Sequence, residues 1–129
     1  MTRNAGSMRS SLGRVRGLGS AKDGVHHWWI QRVTAIALVP LTVWFAAAVV
    51  CNVGADHATM TAWLAQPLPA IAMILLAIAT FWHAALGLQV VIEDYVPGEA
   101  ARLIAIAAVK LACSALGVAA VFAVLKIAL

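Results

Sequence analysis

Three runs of apolar residues constrain what this chain can fold into more than any other feature. From Val33 to Cys51 nineteen residues pass without a charge, from Ala70 to Ile92 twenty-three more, and from Leu103 to Leu125 another twenty-three interrupted only by Lys110. About 20 apolar residues wound as an α-helix cross the hydrocarbon layer of a bilayer. Within that layer each backbone donor needs a partner in its own segment, so such runs are helices and not strands of an open sheet. The expectation is an all-α membrane protein with three transmembrane helices. Over the 129 residues, 64% are hydrophobic and 11% charged, a balance that excludes a water-soluble domain.

The joints between the runs agree with that division. Asn52-Val53-Gly54 closes the first, Pro67 and Pro69 open the second, and Pro97-Gly98 separates the second from the third. Pro40 lies inside the first run, where it removes one helical hydrogen bond and should bend the helix. The spans are placed at about 30–51, 68–93 and 101–126, so that residues 1–28 form a basic segment and 29–129 the three-helix part.

Charge sets the expected orientation. Residues 1–32 hold six Lys/Arg and one acid, residues 33–92 only Asp56, and the 52–66 loop no base at all. Lys and Arg next to a span stay on the inside of the membrane, which puts the N-terminus and residues 93–102 inside and the C-terminus outside. This basicity sits at one end of the chain and does not line a solvated face, so nucleic acid is not the expected partner. Residues 1–19, with four Arg, three Ser and no acid, also have the composition of an organellar transit peptide. A bacterial plasma membrane is the expected location ahead of the mitochondrial inner membrane. Cys51 and Cys113 fall at different depths, and so are expected as unpaired, small buried hydrophobes.

The few polar residues near the spans point to chemistry, because an ionisable group in hydrocarbon is costly and faces a partner. His83 is the sharpest case: it stands eleven residues before Asp94, about 16 Å along a helix, which is close to mid-bilayer. Positions 83, 87, 90 and 94 share one helical stripe, with Gly87 one turn below His83 and the Asp94 carboxylate at the boundary. A neutral imidazole at that depth either bonds across to another helix or ligates a metal. Gly87 leaves room for a flat macrocycle and adds weight to haem. No other His, Cys or carboxylate shares that depth and face, which disfavours zinc.

A second cluster gathers at the inner boundary: His26, His27, Trp28, Trp29, Gln31 and Arg32 before the first span, and Glu93, Asp94 and Tyr95 after the second. Trp28 and Trp29 suit interfacial anchoring. Cations here suit anionic groups such as haem propionates, and a tyrosine hydroxyl suits a quinone carbonyl. Gln89 is expected to bond across helices, Asp56 and His57 to lie in an outer loop, and Lys110 to snorkel to the interface without a function of its own.

The block Gly19-Ser20-Ala21-Lys22 with His26-His27-Trp28-Trp29-Ile30-Gln31-Arg32-Val33-Thr34-Ala35, and the later stretch His83-Ala84-Ala85-Leu86-Gly87-Leu88-Gln89-Val90-Val91-Ile92-Glu93-Asp94-Tyr95, are those of a known family. They resemble the hydrophobic membrane anchor subunit of succinate dehydrogenase, complex II, in its alphaproteobacterial and mitochondrial-like form. The resemblance covers roughly residues 13–125 and rests on the spacing from His83 to Asp94-Tyr95 and on the His-His-Trp-Trp block. It implies partners: a cytochrome b556 anchor subunit, an iron–sulfur subunit and a flavoprotein subunit, the two anchors packing into a haem-binding bundle. It implies haem b with His83 as one axial ligand, and ubiquinone as substrate with Tyr95 on its carbonyl and Asp94 supporting that site. Arg32, with His26 and His27, falls in the vicinity of the haem propionates or the quinone pocket. Two other readings stand beside it: a haem-free anchor of the fumarate-reductase type, and a cofactor-free membrane assembly protein in which His83 makes only an interhelical bond.

Overall fold

A computed structural model describes residues 22–129. The Arg-rich residues 1–19, the Gly19–Ala21 part of the motif block and most of the basic segment 1–28 lie outside the described residues. The described residues form four helices: α1 Lys22–Cys51, α2 His57–Leu64, α3 Pro67–Tyr95 and α4 Glu99–Ala128. α1, α3 and α4 are long and apolar enough to cross a membrane. At 30, 29 and 30 residues, each is about 45 Å long, more than the ~30 Å of hydrocarbon requires.

The turns that separate the helices follow from single residues. Val96 is extended (φ −92°, ψ 112°) because the ring of Pro97 crowds a helical conformation before it, and α3 ends there. Gly98 then takes φ +89°, a left-handed conformation that favours glycine, and α4 starts in the next residue. So short a connection obliges α3 and α4 to run antiparallel side by side. Pro67 opens α3 at the first helical position, where its missing N–H costs nothing.

Two boundaries differ from the sequence expectation. α1 begins at Lys22, so His26 to Arg32 are helical and extend the first span by two turns. The 52–66 loop holds a helix of its own, α2, capped by Asp56, whose carboxylate accepts from the Thr59 amide at 2.9 Å. His57 is the first residue of that helix.

α3 is central: it packs against α4 on one side and α1 on the other, while α1 and α4 make no contact with each other. α2 touches α3 and α4, and its Trp63 stacks on Trp44 of α1 with ring centroids 6.1 Å apart. The α3–α4 seam is built from small residues. Ala79 of α3 and Cys113 of α4 are buried, and the space left by Gly117 is filled by Phe81 at 3.4 Å. Cys51 and Cys113 are both free, but Cys51 is exposed and only Cys113 is the buried apolar residue expected.

Three helices in a row enclose almost nothing. None of the apolar window of the first span is buried inside the chain, and only 6% of each of the other two. Large side chains such as Ile36, Val43, Ile71, Trp82, Leu111 and Phe122 are exposed around the helices. An apolar surface of this extent is stable only against lipid or other apolar helices.

Candidate functional site

Polar residues of α1 and α3 meet near the middle of both helices. Thr34 Oγ1 lies 3.0 Å from His83 Nδ1, joining the two helices through the one histidine placed deep in a span. The other ring nitrogen, Nε2, has no hydrogen-bond partner among the described residues. One turn further along, Gly87 faces Gln31, whose Nε2 would lie 3.8 Å from a β-carbon added there. The close approach at Gly87 is thus toward α1, and the atom it accommodates in this chain is the Gln31 amide.

His27, Gln31 and Thr34 recur at the i, i+4, i+7 spacing of a single helical stripe. That stripe of α1 answers the His83 and Gly87 stripe of α3 in antiparallel register. His27 Nε2 is buried and unpartnered, an uncommon state for a ring nitrogen. Gln89 does not bond across helices as expected; its amide donates along α3 to Glu93 at 2.7 Å, while its own oxygen is buried without a partner.

The ends of α1 and α3 that carry the remaining candidates lie on one side of the molecule, because the two helices are antiparallel. There Arg32 places its guanidinium 4.6 Å from the centre of the Trp28 ring, and Trp28 in turn stacks on Trp29 at 6.1 Å. Trp28 is therefore more than an interfacial anchor: it is the shelf that holds Arg32. His26 is exposed on the first turns of α1. Asp94 and Tyr95 close α3 and are exposed, Tyr95 to 81%. The structure joins His83 to Thr34 and Arg32 to Trp28; Tyr95 and Asp94 share their end of the molecule but have no side-chain hydrogen bond among the described residues.

A groove of 780 Å³ runs along the opposite seam, between α3 and α4, lined by Phe81, Trp82, Lys110, Cys113, Gly117 and Val121 among others. It holds no histidine and is separate from the His83–Thr34 contact. Lys110 borders it and is exposed. Among the described residues no three His, Cys, Asp or Glu side chains gather as a metal site. The donor set is a single imidazole with one nitrogen tied and one free, which suits an axial ligand and not a site closed by this chain alone.

This pairing sits in a sequence with known relatives. The family model described as succinate dehydrogenase/fumarate reductase transmembrane subunit matches residues 6–119. The chain belongs to that family. It is 39% identical over 103 residues to the succinate dehydrogenase hydrophobic membrane anchor subunit of Rickettsia bellii, covering 80% of this chain and 82% of that one. It is 34% identical over 84 residues to the protein of the same description from Paracoccus denitrificans, covering 65% of each. It is 33% identical over 88 residues to the succinate dehydrogenase membrane anchor subunit of Reclinomonas americana, covering 66% of this chain and 73% of that one. As a member of the succinate dehydrogenase/fumarate reductase transmembrane family with three spanning helices, the chain is a multi-pass inner-membrane protein.

Thr34 as the partner of His83, and Gln31 as the neighbour of Gly87, are what sequence reasoning passed over. Their signal was present: the same stripe test that grouped 83, 87, 90 and 94 groups 27, 31 and 34 on the first helix.

Proposed function

We propose that this chain is the membrane anchor subunit of a succinate:quinone oxidoreductase, holding haem b through His83 and helping to place ubiquinone at the inner boundary of the membrane. The observation that carries the haem part is the half-bonded imidazole: Nδ1 is engaged by Thr34 at 3.0 Å, and Nε2 is left without a partner. Metal-ligating histidines usually have this arrangement, with one nitrogen held by the protein and the other presented to the metal. Haem, when bound, supplies one-electron redox chemistry at its iron.

The remaining residues of the chain hold and orient. Arg32, kept in place by Trp28, offers its cationic group to propionates at the inner face, with His27 near it on the same helix. His26 adds an exposed imidazole there. Tyr95, with no side-chain hydrogen bond among the described residues, offers its hydroxyl to a quinone carbonyl, and Asp94 supports that site. Three helices in a row cannot sheathe a macrocycle, so the second ligand and the other wall come from a partner, the cytochrome b556 anchor subunit. The basic inner end is where the iron–sulfur and flavoprotein subunits dock.

A haem-free anchor is the second reading, favoured by the Thr34 bond, which satisfies one nitrogen of His83 without any metal. One experiment decides between them. His83→Ala, purified with its partner subunits, is expected to lose the reduced-minus-oxidised b-haem spectrum, and an unchanged bis-histidine spectrum would show the ligand assignment to be wrong.

A further inference from the structure

Thr34 Oγ1 has three neighbours at the same distance: the carbonyl oxygens of Ile30 and Gln31 and the Nδ1 of His83, each 3.0 Å away. A hydroxyl carries one hydrogen and carbonyls only accept. If that hydrogen goes to His83, neither carbonyl is bonded. If it goes back to the carbonyls, Oγ1 accepts from an Nδ1–H, and both contacts are hydrogen bonds. The second arrangement makes more bonds in a half-buried place, where each one counts for more than in water. A β-branched threonine in a helix is also restricted at χ1, and the bond to the preceding turn selects the rotamer. The lone pair facing His83 is therefore fixed by α1 itself.

We propose that Thr34 is a positioning residue for His83: its hydroxyl, anchored on the preceding turn of α1, holds the imidazole as the Nδ1–H tautomer and leaves Nε2 as the nitrogen that ligates iron. This rests on the haem reading above and assigns to α1 the control of a ligand carried by α3. Accepting a hydrogen bond from Nδ1–H makes Nε2 a stronger donor, and a stronger donor favours ferric over ferrous iron. The Thr34 hydroxyl therefore lowers the midpoint potential of the haem and sets the plane of the His83 ring.

The test uses the whole complex purified from membranes, carrying Thr34→Val, Thr34→Ser or His83→Ala. Thr34→Val keeps the shape and loses the hydroxyl; it is expected to retain haem with a midpoint potential shifted upward and a moved g-maximum in the low-spin ferric EPR signal. Thr34→Ser is expected to match the parent. An unmoved potential and g-maximum in Thr34→Val overturns the proposal, as does a shift in Thr34→Ser as large as in Thr34→Val. Should Thr34→Val not assemble, the parent complex decides through its redox-difference infrared spectrum: histidine ring modes of a hydrogen-bonded Nδ1–H support the proposal, and those of an unbonded Nδ1–H overturn it. His83→Ala separates the two layers. Full haem in that variant sinks the haem assignment and this proposal together, whereas haem loss there beside an unshifted Thr34→Val sinks only the role of Thr34.

Discussion

Glu93 and Asp94 end α3 with two carboxylates and no base in the last turn, where the negative end of the helix dipole disfavours them. Gln89 donates to Glu93, while Asp94 has no side-chain hydrogen bond among the described residues. Tyr95 is 81% exposed, and removing its hydroxyl should hardly touch the fold. Tyr95→Phe is expected to slow quinone reduction roughly five-fold, corresponding to a neutral hydrogen bond of about 1 kcal/mol. Succinate oxidation by a soluble artificial acceptor should stay near normal in the same preparation, and equal loss of both rates counts against the quinone role. At this scale the sequence singled out His83, because an imidazole inside an apolar run is conspicuous. It did not make Thr34 legible as a partner, since a hydroxyl that bonds its own helix costs little in a membrane and draws no attention. Nor did it show that the interhelical bond of His83 engages Nδ1.

The long helices were legible because the bilayer imposes a minimum length on any apolar run that crosses it. α2 was not, because eight residues carry too little periodicity, and its one cue is the capping residue in front of it. Asp56 caps α2 by accepting from the Thr59 amide, and the Thr59 side chain first, with that amide second, holds its carboxyl below the ordinary aspartate range. A carboxyl lowered in the folded state contributes stability that is present above its unfolded pKa and lost as pH falls through the lowered value. α2 should therefore keep its helical Cα chemical shifts through the ordinary aspartate range and fray only below it. Asp56→Ala should fray the first turn of α2 at neutral pH, read as faster exchange of the Thr59 amide relative to its intrinsic rate. Parent and variant amides exchanging alike would mean that the cap does not hold this helix. α1 reaches back to Lys22, beyond the span placed at about 30–51, because hydropathy marks the apolar residues and a helix can continue past them.

Across the whole molecule, the row α1–α3–α4 is a layer and not a bundle, with apolar side chains exposed on both faces. The charge distribution predicts that the N-terminus lies inside, and Cys51, exposed at the end of α1, tests it. A membrane-impermeant maleimide added from outside to spheroplasts should label Cys51 and leave buried Cys113 unreacted; labelling only after the inner face is opened would reverse the topology. By itself the sequence determined that three helices span a membrane and that the breaks between them fall between Asn52 and Pro69 and at Pro97-Gly98, because hydrocarbon thickness and turn-forming residues act on each segment alone. Only the tertiary structure decided that α3 is the middle helix, that Phe81 fills the space left by Gly117, and that Thr34 meets Nδ1 of His83. Those depend on which faces of separate helices meet. In a surface that is apolar all round, hydropathy ranks no face above another, and small residues and single hydrogen bonds make the choice.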